Sequence, residues 1–299
     1  AATSTPQGSG WRCDPPMKPG NLRIATGVPI GIDRSGQTVR LPIVGGHVLI
    51  VGYTGGGKTR LLQIIVDAVA GAVDADVFGV VDTVKRAAAF ARWSVPRART
   101  APEAVAMMRR FRDETAARFA LMEAAIDAAA GRETGPAVTA VAQLTGRPRS
   151  EIETEVARLV ALDAGDGDYP TCPEWPHLVL VVDEFPAVQD GEFHALIGES
   201  AREDRGAGAT LILATQRATA DMIDTSTRAQ LGATVVLRTR TAAETGYALG
   251  DQSAPSRGYD ASLFPARQGW AFFAGPEDQQ PRRMRVYTVS EDQLRVSAG

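Results

Sequence analysis

No run of apolar residues in this 299-residue chain approaches the roughly 18 that a membrane-spanning helix needs. The N-terminus also lacks the basic-then-apolar order of a secretory signal peptide, so the expectation is a soluble chain. Cysteine is scarce. Cys13 and Cys172 stand far apart in unrelated contexts, which argues for free thiols in a reducing compartment rather than for a disulfide framework. The three histidines, His47, His177 and His194, have no metal-ligand spacing with one another or with the cysteines, so no zinc site is expected. An excess of positive charge is missing too. With 32 Lys and Arg against 35 Asp and Glu, the net charge of −3 excludes a uniformly basic surface, although a ring or groove can still concentrate cations locally.

What is present is apolar mass, and glycine concentrated in one place. Hydrophobic residues make up 44% of the chain, enough for one large α/β domain or two small ones. The stretch HVLIVGYTGGGKTRLL, residues 47–62, breaks an apolar run with Gly52, Tyr53, Thr54, Gly55, Gly56 and Gly57 and starts a helical pattern at Lys58. Glycine reaches backbone angles closed to other residues, so such a loop can curl its N–H groups around an anion. A helix beginning near Lys58 adds unpaired N–H groups and the positive end of its dipole. Gly52-x-x-x-x-Gly57-Lys58-Thr59 fits the phosphate-binding pattern G-x-x-x-x-G-K-[ST], in the required place between strand and helix. The cradle then runs from Gly52 to Arg60. Lys58 would bridge the β- and γ-phosphates of a nucleoside triphosphate, and the Thr59 hydroxyl would ligate Mg²⁺.

The chain around this loop alternates strand and helix. Residues 22–44 read as a β-hairpin turning at Arg34–Gly36, and it delivers the chain to a central strand, Val48–Val51. A helix from Lys58 to about Ala70 and a buried strand over residues 76–83 follow. Thr100, Pro102 and Glu103 carry the start signals of a long helix, whose core face is expected through Met108, Phe111, Thr115, Phe119, Met122 and Ile126. Residues 131–176 read as a helical insertion with two short helices around Gly146–Arg149, the second capped by Ser150 with Glu153. Strands resume at 177–185, 209–215, 233–239, 269–273 and 284–289. Strand and helix alternating in this way predict an α/β fold, a mainly parallel sheet with helices on both faces. The expected division is a disordered or added leader over 1–21, a hairpin segment over 22–46, an ATPase domain over 47–290 and a short tail over 291–299.

A phosphate cradle does not hydrolyse anything alone. In LVLVVDE an apolar strand delivers Asp183 and Glu184 to its C-terminal end, where α/β sheets place ligands. Asp183 would hold Mg²⁺ through water and Glu184 would polarise the attacking water. The second acid favours ATP hydrolysis over the chemistry of a signalling GTPase. Gln216 ends another buried strand in LILATQR, where its carboxamide could contact the γ-phosphate and report whether ATP is intact.

HVLIVGYTGGGKT, LVLVVDEFPAV and AREDRGAGATLILATQRATADMI, in that order, resemble the FtsK/SpoIIIE family of DNA-pumping ATPases, including the plasmid-transfer translocases of mycelial actinobacteria. IGIDRSGQTVRLPI, FRDETAARFALMEAA and VVLRTRTAAETGYALGD are similar to that family as well, so the likeness covers roughly residues 24–290. The resemblance implies a RecA-like, P-loop motor that takes ATP and Mg²⁺, assembles with itself into a homo-hexameric ring and pumps double-stranded DNA. It implies work at the inner face of the cell membrane, with a membrane anchor or membrane partner outside this chain. In such rings a neighbouring subunit supplies an arginine to the transferred phosphate. Arg238 best matches that position, and Arg202, Arg205 and Arg240 compete with it.

The chain departs from the family in two places. Asp82 and Lys85 are separated by two residues where the family often has Asp-Pro-Lys, and residues 185–204 are acidic where many DNA pumps carry lysine. Two other functions compete with DNA pumping: a motor resembling the type VII secretion ATPases, acting on proteins, and a scaffold that assembles on nucleotide without moving anything.

Overall fold

The structure is a computed structural model, and it describes residues 22–162, 169–220, 222–266 and 269–289. The expected leader and tail lie outside the described residues. The chain forms β1 (Val28–Asp33), β2 (Thr38–Leu41), β3 (Val48–Val51), α1 (Lys58–Ala70), β4 (Ala75–Val81), β5 (Arg97–Ala98) and α2 (Ala101–Ala129). It continues through α3 (Gly135–Thr145), α4 (Arg149–Ala161), β6 (His177–Val182), α5 (Gly191–Glu203), β7 (Ala209–Thr215) and α6 (Thr225–Gln230). The last elements are β8 (Ala233–Leu237), α7 (Ala242–Leu249), β9 (Trp270–Ala274) and β10 (Arg282–Val286).

All ten strands join one sheet in the order β2-β1-β10-β9-β8-β3-β7-β6-β4-β5. From β8 to β5 the pairings are parallel, and from β8 outward through β9, β10, β1 and β2 they are antiparallel. The N-terminal hairpin, β1 and β2, extends the antiparallel flank of this sheet. β1 pairs with β10, so the two ends of the described chain close one flank of the sheet.

Residues of β3 alternate between two cores because successive strand side chains point to opposite faces. Val48 and Ile50 pack with α1, whereas Leu49 and Val51 pack with α2 and α5 on the other face. A third cluster joins the C-terminal half of α2 to α3 and α4. This small helical unit corrects two expectations. On α2 the face through Met108, Phe111, Thr115 and Met122 is buried as the spacing predicts, but Phe119 and Ile126 are exposed. In that half the covering partners are helices, and they select Leu121, Ala124 and Ala125 instead. Ser150 is not a cap: α4 already begins at Arg149, with Pro148 at the N-cap and no side-chain cap. Thr100 does cap α2, its hydroxyl accepting the Glu103 N–H, while the Glu103 carboxylate reaches back to the N–H of Arg99. Among the described residues no helix is long and apolar enough to cross a membrane.

Two histidines tie the N-terminal ends of the central strands together, both fully buried. His47 Nδ1 accepts the N–H of Leu211 at 3.0 Å, and His177 Nε2 lies 2.9 Å from Thr210 Oγ1. The Thr210 hydroxyl donates to the Ile43 carbonyl, so His177 must donate through Nε2. Protonating either ring places a buried charge, and burial pushes His47 down to about 4 and His177 down to about 3. The unfolded chain therefore binds more protons than the folded one below its ordinary histidine value of about 6.5. Stability should be full above that pH and fall as the pH drops toward 4 and below, by on the order of 3 kcal/mol per ring. Urea midpoints at pH 7.5, 6 and 5 should show this fall, and His177→Gln should flatten it. An unchanged slope in that variant would remove His177 from the account.

Candidate nucleotide site

The parallel strands deliver their loops to one edge, and the glycine-rich loop after β3 lies there between the ends of β7 and β8. Gly52 N–H donates to Thr215 O at 3.0 Å, and Tyr53 N–H donates to Arg238 O at 2.7 Å. Gly55 and Gly57 have φ of 81° and 104°, conformations that require glycine, and Gly57 is the N-cap of α1. The loop borders a cleft of about 280 Å³ lined by Gly52, Tyr53, Thr54, Gly55, Gly57, Lys58, Thr59, Arg60, Lys85 and Gln216. Arg60 Nη1 is buried there without a partner. Gly56, the remaining member of the loop, turns its N–H to Tyr53 O at 2.8 Å.

Lys58 is 7% exposed, and its ammonium meets Asp183 Oδ1 directly and Glu184 Oε2 at 3.2 Å. Two consecutive carboxylates would point to opposite faces if the strand continued. They converge because Glu184 takes a left-handed backbone, φ 58° and ψ 55°, immediately after β6. A non-glycine residue holds that conformation at a cost of about 1–3 kcal/mol, a feature that clusters at functional sites. The turn brings Glu184 across to β7, where its carboxylate accepts the Gln216 N–H at 3.1 Å and the Thr215 hydroxyl at 3.3 Å. The Thr54 hydroxyl donates to Gln216 Oε1 at 2.7 Å, so the phosphate loop and the end of β7 are directly linked. Lys58, Thr54, Asp183, Glu184 and Gln216 therefore form one connected group across three strand ends.

The oxygens present suit a divalent cation held jointly with a nucleotide. Asp183 Oδ1 and Thr59 Oγ1 are each approached by an ammonium, from Lys58 and from Lys85. Positive charge thus already stands at both oxygens expected to face Mg²⁺. Among the described residues no cluster of three or more His, Cys, Asp or Glu could hold a metal. Asp183 and Thr59 would hold Mg²⁺, which would supply charge neutralisation to the phosphates.

Lys85 was not among the residues expected from the sequence. Its Nζ lies 3.3 Å from Thr59 Oγ1, and the only signal for it was the departure at Asp82-x-x-Lys85. The four arginines separate into two pairs. Arg238 and Arg240 follow β8 at the phosphate-loop edge: Arg238 Nε is buried without a partner, and Arg240 stacks on the Tyr53 ring at 4.3 Å. Arg202 and Arg205 precede β7 and are exposed at the opposite edge, one strand length away. The acidic stretch after Glu184 is mostly the helix α5. Its Glu192 pairs with Arg109 and its Glu203 with Arg112, both at 2.6 Å, so much of that charge is met by α2.

No protein-family model matches the chain, and no curated protein matches it. Solved structures do. The cytoplasmic domain of the type VII secretion ATPase EccC of Thermomonospora curvata is 23% identical with a TM-score of 0.60, over 96% of this chain and 32% of that one. The pCW3 conjugation coupling protein TcpA, a monomer form with ATPγS, is 16% identical with a TM-score of 0.62, over 89% of this chain and 67% of that one. EssC (ATPases 2 and 3) from Geobacillus thermodenitrificans is 15% identical with a TM-score of 0.55, over 94% of this chain and 50% of that one. This chain spans about a third of the length of the EccC cytoplasmic-domain chain and about two thirds of that of the TcpA chain. The fold is therefore the RecA-like P-loop fold, shared with these three structures, as the sequence resemblance implied.

Proposed function

We propose that this chain is the motor unit of an ATP-hydrolysing homo-hexameric ring that translocates double-stranded DNA, in conjugative transfer or chromosome handling. The observation that carries the ATPase reading is the convergence of Lys58, Asp183 and Glu184 at the phosphate loop, with Gln216 bonded to both Glu184 and Thr54. Lys58 holds the β- and γ-phosphates; Asp183 and Thr59 hold Mg²⁺. Glu184 takes the proton of the attacking water, and its bonds to Lys58 and Gln216 fix its carboxylate at the cleft. Gln216 relays the state of the γ-phosphate to β7 through its bond with Thr54. A simple nucleotide-dependent scaffold would need neither Glu184 nor Gln216.

In the ring, the arginine supplied across the subunit boundary has to stand on a surface that a neighbour's cleft can meet. Arg238, matched by the resemblance, is tied through its carbonyl to its own phosphate loop and so stands on the edge that carries its own cleft. Arg202 and Arg205, exposed at the far edge, are better placed to reach the next subunit.

The likeness to EccC favours a second reading, a motor that acts on proteins. The ATPase rate with and without duplex DNA separates the two. DNA of arbitrary sequence should raise the rate at low salt, and the stimulation should vanish steeply with salt because phosphate contacts release counterions. A rate indifferent to DNA at every salt concentration would favour the protein-handling reading.

A further inference from the structure

We propose that Lys85 is a second phosphate-binding lysine, which recognises the terminal phosphate and so distinguishes a nucleoside triphosphate from a diphosphate. The inference rests on the reading of the cleft as an ATP site and adds a ligand to it.

The loop after β4 is wound around one buried acid. Asp82 is 1% exposed, and its Oδ1 accepts the N–H groups of Val84 at 3.2 Å and Lys85 at 2.8 Å. The Asp82 carbonyl accepts the Ala87 N–H, and the Lys85 carbonyl accepts the Ala88 N–H, each at 3.1 Å. Arg86 and Ala87 both take left-handed conformations, φ 54° and 52°, without being glycine. Such strain persists where the surrounding bonds over-determine the backbone, as they do here. The Gln63 side chain of α1 donates to Ala89 O at 2.8 Å and ties this turn to the helix that begins at the phosphate loop. The loop therefore projects Lys85 over the cleft from a fixed base.

Lys85 is exposed, yet its ammonium lies 3.3 Å from the Thr59 hydroxyl rather than extended into water. A neutral hydroxyl is a weak reason for a flexible lysine to give up its rotamer freedom. A polyphosphate entering the same cleft is a strong one, because a charge-assisted bond to phosphate is roughly twice as strong as a neutral one. The direction of approach picks out the phosphate. β4 neighbours β6, so Lys85 arrives from the side of the cleft that holds Asp183 and Glu184. Glu184 can deliver water only to the phosphate that will leave, which is the terminal one. Lys85 thus stands where ATP has a charge that ADP lacks.

Calorimetric titration of ATPγS and of ADP, each with Mg²⁺, into the wild type, Lys85→Met and Lys85→Arg tests this. Lys85→Met should weaken ATPγS by about 10- to 100-fold and ADP by less than about threefold. Lys85→Arg should restore most of the ATPγS affinity. Because the side chain is exposed, thermal midpoints without nucleotide should coincide. An equal loss for both nucleotides, or no loss for ATPγS, overturns the assignment. Lys58→Ala titrated in parallel separates the two levels of inference. Should the wild type fail to bind ATPγS, or Lys58→Ala bind it normally, the ATP-site reading fails; wild-type binding with an unaltered Lys85→Met sinks the Lys85 proposal alone.

Discussion

Lys58→Ala should abolish tight ATP binding and, in the same stroke, destabilise the nucleotide-free protein. The first effect follows from position: Lys58 opens α1 at the phosphate loop and is a buried cation of the cleft. The second follows from its partners, since Asp183 and Glu184 both face its ammonium. Removing one member of a buried ion pair strands the other, at a cost of about 3–5 kcal/mol. Here Asp183 would be stranded beside Glu184, and the two carboxylates would repel each other. Loss of binding by Lys58→Ala could therefore be mistaken for loss of fold. The double variant Lys58→Met, Asp183→Asn resolves this, because it removes the charge from both sides of the closest pair. Its thermal midpoint should recover most of what Lys58→Ala loses, while its ATPγS affinity stays absent. A double variant that binds ATPγS would show that the ammonium does not hold phosphate, and a single variant as stable as the wild type would show that the ion pairs contribute little.

The parts of the site that could be read in the sequence are those in which spacing along the chain determines spacing in space. The phosphate loop is such a part: Gly52 to Thr59 are contiguous, and the strand and helix on either side of it fall at Val48–Val51 and Lys58–Ala70 as their patterns predict. The cap at Thr100 is local in the same way. What the sequence could not show depends on partners distant in the chain. That Asp183 and Glu184 share one ammonium requires the left-handed turn at Glu184, and nothing in LVVDEF distinguishes that residue from any strand-end glutamate. The reach of Lys85 to Thr59 depends on a loop fixed by Asp82. The burial of Phe119 and Ile126 fails for a related reason: periodicity gives a helix its apolar stripe, but the covering element decides which part of it is used. β1 and β10 meet although more than 240 residues separate their paired positions, a pairing that no short-range pattern encodes.

Glu184→Gln should lower ATP turnover by about 10²- to 10⁴-fold while leaving ATP affinity within a few-fold of the wild type. The carboxamide keeps the shape of the side chain and an oxygen to accept the Gln216 N–H, so the link between β6 and β7 survives. What it loses is the capacity to take a proton from water. The variant should accumulate ATP-bound rings, visible as a larger species in sedimentation with ATP and dispersed with ADP. Loss of binding instead would make Glu184 a ligand or a structural prop rather than the base. In the proposed ring, the trapped variant also locates the arginine supplied across the boundary. Mixed with Arg205→Ala, itself inactive, Glu184→Gln subunits should regain activity at boundaries where an intact Glu184 of one chain meets an intact Arg205 of the next. Mixed with Arg238→Ala they should regain none, because each cleft would then lack either its own base or its own arginine. The reverse outcome, rescue with Arg238→Ala and none with Arg205→Ala, would show that Arg238 reaches out of its own loop into the neighbouring cleft.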